Sequence, residues 1–291
     1  MIALERYRIR DRVATKRSNG QAPAAFFGDP AGDVLLKCAL DDELTILQQA
    51  LQDFEVLERV QQGGQGVVYK ARQRGTQRSV ALKLLLDGPL ATVQQRARFA
   101  REIELVSRLR HPNIVTVYES GVARGRNFYA MEFVEGLPIN DYAVLHDLPP
   151  AEIVRLIIKI CGAIQHAHQN GIIHRDLNPA NILIDEAGEP RVFDFGLAKD
   201  LWAGPEDGGT LCTAAGCGTL PYLSPEQAGA GDGRVDVRSD VYAIGLVLYE
   251  LLTDMLPYPV RGEPGDVRTA IINAEPLPLR QAIALGSLDR A

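Results

Sequence analysis

The stretch His174-Arg175-Asp176-Leu177-Asn178-Pro179-Ala180-Asn181, with Asp194-Phe195-Gly196 following it, decides how this chain is read. Asp176 is suited to accept a hydroxyl proton, and Asn181 and Asp194 offer the hard oxygen ligands that Mg2+ takes. The order and spacing of these residues are specific. They lie in a loop-rich segment between two long apolar runs, IVRLIIKICGAIQHAHQ (153–169) and VYAIGLVLYELLT (241–253). Both runs are apolar nearly all round and read as buried helices.

Toward the N-terminus the pattern changes to strands. FEVLERV from Phe54, then VVYKARQ, then SVALKLLL predict an antiparallel meander with Gly-rich or polar turns. A helical stretch, Val93 to Leu109, follows, and the runs IVTVYESGV and NFYAMEFV bring the count to five strands and one helix. After Gly136 helices dominate.

Two further signals sit in this region. In QQGGQGVVYKA, Gly63, Gly64 and Gly66 let the backbone approach a polyphosphate closely. Taken alone, this motif is more commonly a Gly-containing hairpin turn than a nucleotide loop, and it lacks the helix that follows the glycines in Rossmann and P-loop proteins. In Val80-Ala81-Leu82-Lys83 an ammonium sits in an apolar strand, where burial is costly unless the charge is paired. Glu102 on the helical stretch is the natural protein partner, and a phosphate oxygen the natural ligand partner.

Residues 1–53 read as an extension ahead of this domain. Arg6, Arg8, Arg10, Arg12, Lys16 and Arg17 form a basic arm, NGQAPAAFFGDPAGD a linker, and Leu40–Phe54 a short amphipathic helix. The arm is read as solvated, with docking to an acidic partner as the sharper alternative.

With 291 residues, 46% hydrophobic and 23% charged, the composition is that of a soluble globular protein. A net charge of -6 gives no general field for attracting nucleic acid or anionic lipid, so positive charge must be concentrated where phosphate binds. No apolar run reaches the roughly 18 to 20 residues that a bilayer-spanning helix needs, and the opening MIALERYRIRDR has no signal-peptide core. A cytoplasmic protein is expected; a membrane anchor in a longer parent chain stays open. Cys38, Cys161, Cys212 and Cys217 form no CxxC pair, which speaks against a zinc site or disulfide framework. Cys212 and Cys217 lie close enough for a redox pair, though two incidental thiols are the plainer reading.

Over residues 54 to about 275 the chain resembles the eukaryotic-type protein kinases, in their bacterial serine/threonine branch. Gly-rich loop, V-A-x-K, helix Glu, H-R-D-x-x-x-x-N and D-F-G occur in the family order. The resemblance implies an α+β, two-lobed protein kinase fold: a small antiparallel β lobe with one helix (54–134) and a larger, mainly helical lobe (135–291). It implies a transferase that moves the γ-phosphate of ATP to protein Ser/Thr hydroxyls in signalling, with ATP and Mg2+ as cofactors, a protein substrate and no nucleic acid partner. Lys83 would hold the α- and β-phosphates and pair with Glu102, Asp176 would orient the attacking hydroxyl, and Asn181 and Asp194 would bind Mg2+. The same resemblance places Val60, Val68 and Ala81 above the adenine, Leu183 below it and Met131 at the gatekeeper position, with backbone hydrogen bonds from Glu132 and Val134.

LAKDLWAGPEDGGTLCTAAGCGTLPYLSPEQ resembles an activation segment. Thr219 would line the acceptor site, Arg175 would sense a loop phosphate, and Thr213, then Thr210, are the candidates to carry that phosphorylation. Asp240 matches the family Asp that braces the catalytic loop.

Three departures from the family pattern stand out. Gln61 replaces the first glycine of the phosphate loop, and Asn178 replaces a Lys that touches the γ-phosphate. The C-terminal lobe reads as truncated, so Glu226 has no assignable Arg partner from the later helices of the family; either the sequence is a fragment of a longer protein or its second lobe is abbreviated and less stable. These departures favour a rival, a pseudokinase or nucleotide-binding scaffold; a small-molecule kinase is disfavoured by the segment GTLPYLSPE.

Overall fold

The computed structural model describes residues 48–63, 66–85, 93–196, 220–229, 235–260 and 262–288. Gly64, Thr210, Thr213 and Thr219 lie outside them, as do Cys212, Cys217, the basic arm and the linker. Of the helix expected over 40–54, residues 48–50 are helical and Phe54 already opens the first strand.

The smaller lobe is a five-stranded antiparallel sheet in the order β1-β2-β3-β5-β4. Its strands are β1 (Phe54–Gly63), β2 (Gly66–Gln73), β3 (Arg78–Leu85), β4 (Val117–Ala123) and β5 (Arg126–Glu132), with α1 (Val93–Ser107) between β3 and β4. Successive strand side chains point to opposite faces, and β3 uses the alternation to divide its residues between two cores. Val80, Leu82 and Leu84 join Phe54, Val67, Tyr69 and Ala130 in a cluster confined to this lobe. Ala81 and Leu85 join Phe99, Ile103, Tyr129 and Met131 in a cluster that runs on into the larger lobe. Lys83 lies between Ala81 and Leu85, so its ammonium is delivered to the side where the lobes meet.

The larger lobe starts with β6 (Gly136–Pro138) and α2 (Ile139–Leu145), followed by α3 (Pro150–Gln169). β7 (Ile182–Asp185) and β8 (Pro190–Val192) complete a three-stranded sheet with β6. α4 (Val237–Thr253), α5 (Pro264–Asn273) and α6 (Leu279–Leu288) follow. Pro150 starts α3 where its missing N–H costs nothing, and its buried residues Ile153, Leu156, Ile157, Ile160, Ala163, Ile164 and Ala167 recur at helical spacing. α4 is N-capped by Asp236, whose side chain accepts the backbone N–H of Arg238 at 2.8 Å.

The two apolar helices are not buried all round, as their sequences suggested. Ile158 of α3 is 63% exposed and Val241 of α4 62%. Each helix packs through one stripe and keeps a solvent face that happens to carry aliphatic residues. No helix among the described residues is long and apolar enough to cross a membrane.

Candidate active site

The upper wall of the cleft is set by strand register. β3 and β5 pair Lys83 with Tyr129 and Ala81 with Met131, while β2 and β3 pair Val68 with Lys83. Opposite partners in an antiparallel pair project to the same face, so Val68, Ala81, Lys83, Tyr129 and Met131 share the inner face of the sheet. Val60 lies at an irregularity of β1, where Arg59 pairs with Tyr69 and Gln61 with Val68. Gln61 therefore continues the ladder, and Gly63 pairs with Gly66 at the tip.

The two described glycines of this hairpin differ in what they permit. A Cβ on Gly66 would come within 2.5 Å of the Leu84 carbonyl oxygen, whereas one on Gly63 would meet nothing within 4 Å. Gly66 is thus required by the closeness of β3, whereas Gly63 faces open space.

The lower wall is held by polar side chains that grip backbone. Asp240, 1% exposed near the start of α4, accepts the backbone N–H groups of His174 and Arg175, each at 2.8 Å, and pairs with His168 Nε2 of α3 at 2.7 Å. Gln227 Nε2 donates to the Arg175 carbonyl at 2.8 Å. These grips hold Arg175 at φ 63°, in the left-handed region uncommon for any residue but glycine. His174 is fully buried; its Nδ1 accepts the Asp176 N–H at 3.3 Å and its Nε2 donates to the Phe193 carbonyl at 3.0 Å. That pattern fits the neutral ring, and burial pushes the His174 pKa below its usual value despite the nearby Asp240 and Asp176 carboxylates.

Asp176, Asn178 and Asn181 are all buried. Asn181 Nδ2 donates to the Asp176 carbonyl at 2.8 Å and to its carboxylate at 3.3 Å. Those bonds leave the amide oxygen of Asn181 as the acceptor end of the group. Asn178 is folded into the loop itself, its Nδ2 on the Asp176 carbonyl at 2.9 Å and its Oδ1 accepting the Ala180 N–H at 3.0 Å. It caps the short 3-10 turn Pro179–Asn181 and presents no charge to the cleft.

The walls meet at Asp194, which follows β8 with φ 63°. Its carboxylate is gripped on one oxygen by the Lys83 ammonium and on the other by the Tyr129 hydroxyl at 2.7 Å. Burial pushes the Asp194 carboxyl up, but the charge and hydrogen bond of Lys83, helped by Tyr129, outweigh it and hold the group below the usual carboxylate range. Burial, with the Asp194 charge added, pushes the Tyr129 hydroxyl well above its usual range, so it stays a donor.

Among the described residues, then, the partner of Lys83 is Asp194 and not Glu102, which sits half-buried on α1. Lys83 is joined to Asp194 across the lobes, Asn181 to Asp176 within the loop, and the Phe193 N–H, next to Asp194, donates to the Asn181 carbonyl at 3.1 Å. Met131 lines a small cavity together with Tyr129 and Asp194, and Leu183 of β7, opposite Pro138 of β6, lies in the small sheet of the lower lobe. The Glu132 carboxylate is paired with Arg191 of β8, and the Glu132 backbone N–H donates to the Thr116 carbonyl at 2.9 Å.

Three features went unread in the sequence. Tyr129 carries no mark within its apolar strand, and only the register opposite Lys83 could have exposed it. Gln227 carried no signal. Glu226 does have a partner: its carboxylate accepts the hydroxyl of Ser239, buried at the head of α4.

Comparison with known proteins agrees with this architecture. Residues 54–281 match the protein kinase domain. The chain is 38% identical over 236 residues to the serine/threonine-protein kinase pkn3 of Myxococcus xanthus, covering 78% of this chain and 42% of that protein. It is 38% identical over 226 residues to the serine/threonine-protein kinase PknB of Mycobacterium leprae, covering 75% and 35%, and 39% identical over 207 residues to PrkC of Bacillus subtilis, covering 70% and 31%. The chain thus spans less than half the length of these relatives. With the family's domain matched over most of its residues, the chain belongs to the protein kinase family.

Proposed function

We propose that the chain transfers the γ-phosphate of ATP to Ser or Thr hydroxyls of a protein substrate. The observation that carries this reading is the convergence of Lys83 and Asp194, from opposite lobes, above the Asp176–Asn181 loop. The proposed step is an in-line displacement: the substrate oxygen forms a bond to the γ-phosphorus as the bond to the β,γ-bridging oxygen breaks and ADP leaves. Asp176 takes the hydroxyl proton. Lys83 gives its charge to the α- and β-phosphates, the glycine hairpin covers them, and Glu132 and Val134 offer backbone groups to the base.

The donor set near Asp194 fits a hard divalent cation, since the Asn181 amide and the Asp194 carboxylate both offer oxygen, and substrate phosphates complete such sites. Mg2+ held there would neutralise phosphate charge that develops during transfer. The family and the names of the relatives support Ser/Thr specificity; Thr219 is proposed to line the acceptor site, with Arg175 as the sensor of a loop phosphate and Thr213, then Thr210, as the candidate phosphosites.

One observation favours a second reading, a nucleotide-binding scaffold with little transfer. Asn178 stands where the family has a Lys and turns into its own loop, so no cation comes from that position. Incubating the purified chain with labelled ATP, Mg2+ and a basic protein, beside Asp176→Asn, separates the two. Label that appears with the wild type and vanishes with the variant supports the enzyme. Nucleotide binding with equal silence from both, also in a longer form of the protein, overturns it in favour of the scaffold.

A further inference from the structure

Tyr129 is 1% exposed, and its hydroxyl donates to Asp194 Oδ1 at 2.7 Å. A buried phenol must find a partner, but it need not find a carboxylate. Here it does so because of strand register. Tyr129 stands directly opposite Lys83 across the β3–β5 ladder, so phenol and ammonium reach from the same face of one sheet to the two oxygens of one carboxylate. A single donor would leave that carboxylate free to turn about its bond to the chain. Two donors on a rigid sheet fix its plane.

The backbone gives this grip something to hold. Asp194 has φ 63°, a conformation that costs a non-glycine residue energy and persists only where its surroundings impose it. Lys83 belongs to the nucleotide phosphates once they arrive, and its hold on Asp194 must then be shared. Tyr129 has no such second duty. A neutral hydroxyl also occupies one lone pair of Oδ1 and leaves the other open, since each carboxylate oxygen offers about two acceptor positions.

We propose that Tyr129 is a positioning residue for the cation site: by holding Oδ1 it presents the Asp194 carboxylate to the metal that accompanies the nucleotide. The inference rests on the nucleotide and Mg2+ reading given above and deepens it. Partners of a ligand's own side chain commonly change metal affinity about 10- to 100-fold when removed. A lone neutral donor belongs at the lower end of that range.

The test is nucleotide binding by calorimetry, with the full chain, ATP and a series of Mg2+ concentrations, for wild type, Tyr129→Phe and Asp194→Asn. Tyr129→Phe keeps the ring and removes one oxygen. It is expected to need about ten times more Mg2+ than wild type for half of the Mg2+-dependent tightening. Its ATP affinity in EDTA should stay that of wild type, which also certifies the fold. Asp194→Asn should lose most of the Mg2+ dependence. A Tyr129→Phe midpoint equal to wild type, with Asp194→Asn shifted, overturns the inference and leaves the nucleotide reading standing. An equal loss of affinity with and without Mg2+ overturns it as well, because that is a packing effect. A wild type that binds no nucleotide at any Mg2+ concentration overturns the underlying reading and this inference together.

Discussion

The two walls of the cleft are built in opposite ways. Above, Lys83 and Tyr129 are aimed by a backbone ladder, and the side chains on that face are carried by the sheet whatever their identity. Below, Asp176 and Asn181 stand on irregular chain, where one buried side chain holds the backbone of the next: Asp240 under His174 and Arg175, His174 under Phe193, Asn178 under Asp176. A sheet positions a residue through hydrogen bonds that any sequence can make. A loop positions it through bonds that only particular side chains can make, so the lower wall should be far less tolerant of substitution.

The largest expected effect breaks the lower wall. Asp240→Ala removes the acceptor for two backbone N–H groups and His168 inside the protein. It should cost about 3–5 kcal/mol of stability, read as a lowered denaturant midpoint, with loss of nucleotide-dependent activity. An upper-wall residue of equal burial, changed in size only, should cost much less.

A smaller effect sharpens the comparison from above. Gly66→Ala forces a Cβ against the Leu84 carbonyl and should cost about 1–3 kcal/mol in thermal or denaturant unfolding. Gly63→Ala, facing open space three residues away, should leave the midpoint within about 0.5 kcal/mol of wild type. Equal costs would mean that the ladder does not govern this hairpin.

The smallest effect carries a pH signature. Ser239→Ala takes a hydroxyl donor from the Glu226 carboxylate and should cost about 1–2 kcal/mol at neutral pH. Burial pushes the Glu226 pKa up, but the Ser239 hydrogen bond and its other donors prevail and hold it below the usual 4.5. Because the folded value is depressed, the stabilisation is present above pH 4.5 and fades as pH falls through the lower folded value. The penalty of Ser239→Ala should shrink in the same window, measured by unfolding at pH 7 and at pH 3.5.

The same contrast explains what was legible in the sequence. Strands and long helices announce themselves through period, and Lys83 stood out because a charge interrupts an apolar strand. Asp176, Asn181 and Asp194 were legible as a spaced motif. The contacts between them were not, because a motif states which groups assemble and not which hold which. Nothing in the sequence marks Tyr129 or Ser239, and Asn178 was legible only as the replacement of a Lys at the phosphate, whereas it braces its own loop. Ile158 and Val241 misled in the other direction: aliphatic side chains on every face imply burial only where neighbours are available to cover each face.

One seam between the lobes has a mechanical consequence. The residues after α1 are stitched to β8: Val115 N–H donates to the Val192 carbonyl at 2.9 Å, Val192 N–H to the Asn113 carbonyl at 2.8 Å, and Asn113 Nδ2 to the Pro190 carbonyl at 2.8 Å. With the tail of α1 sewn to the lower lobe, the sheet cannot simply lift away from it. Together with the covalent crossing from β5 to β6 at residues 133–135, this seam ties the lobes at two places, which resists a sliding of the sheet along β8 more than a turn about the line through both ties.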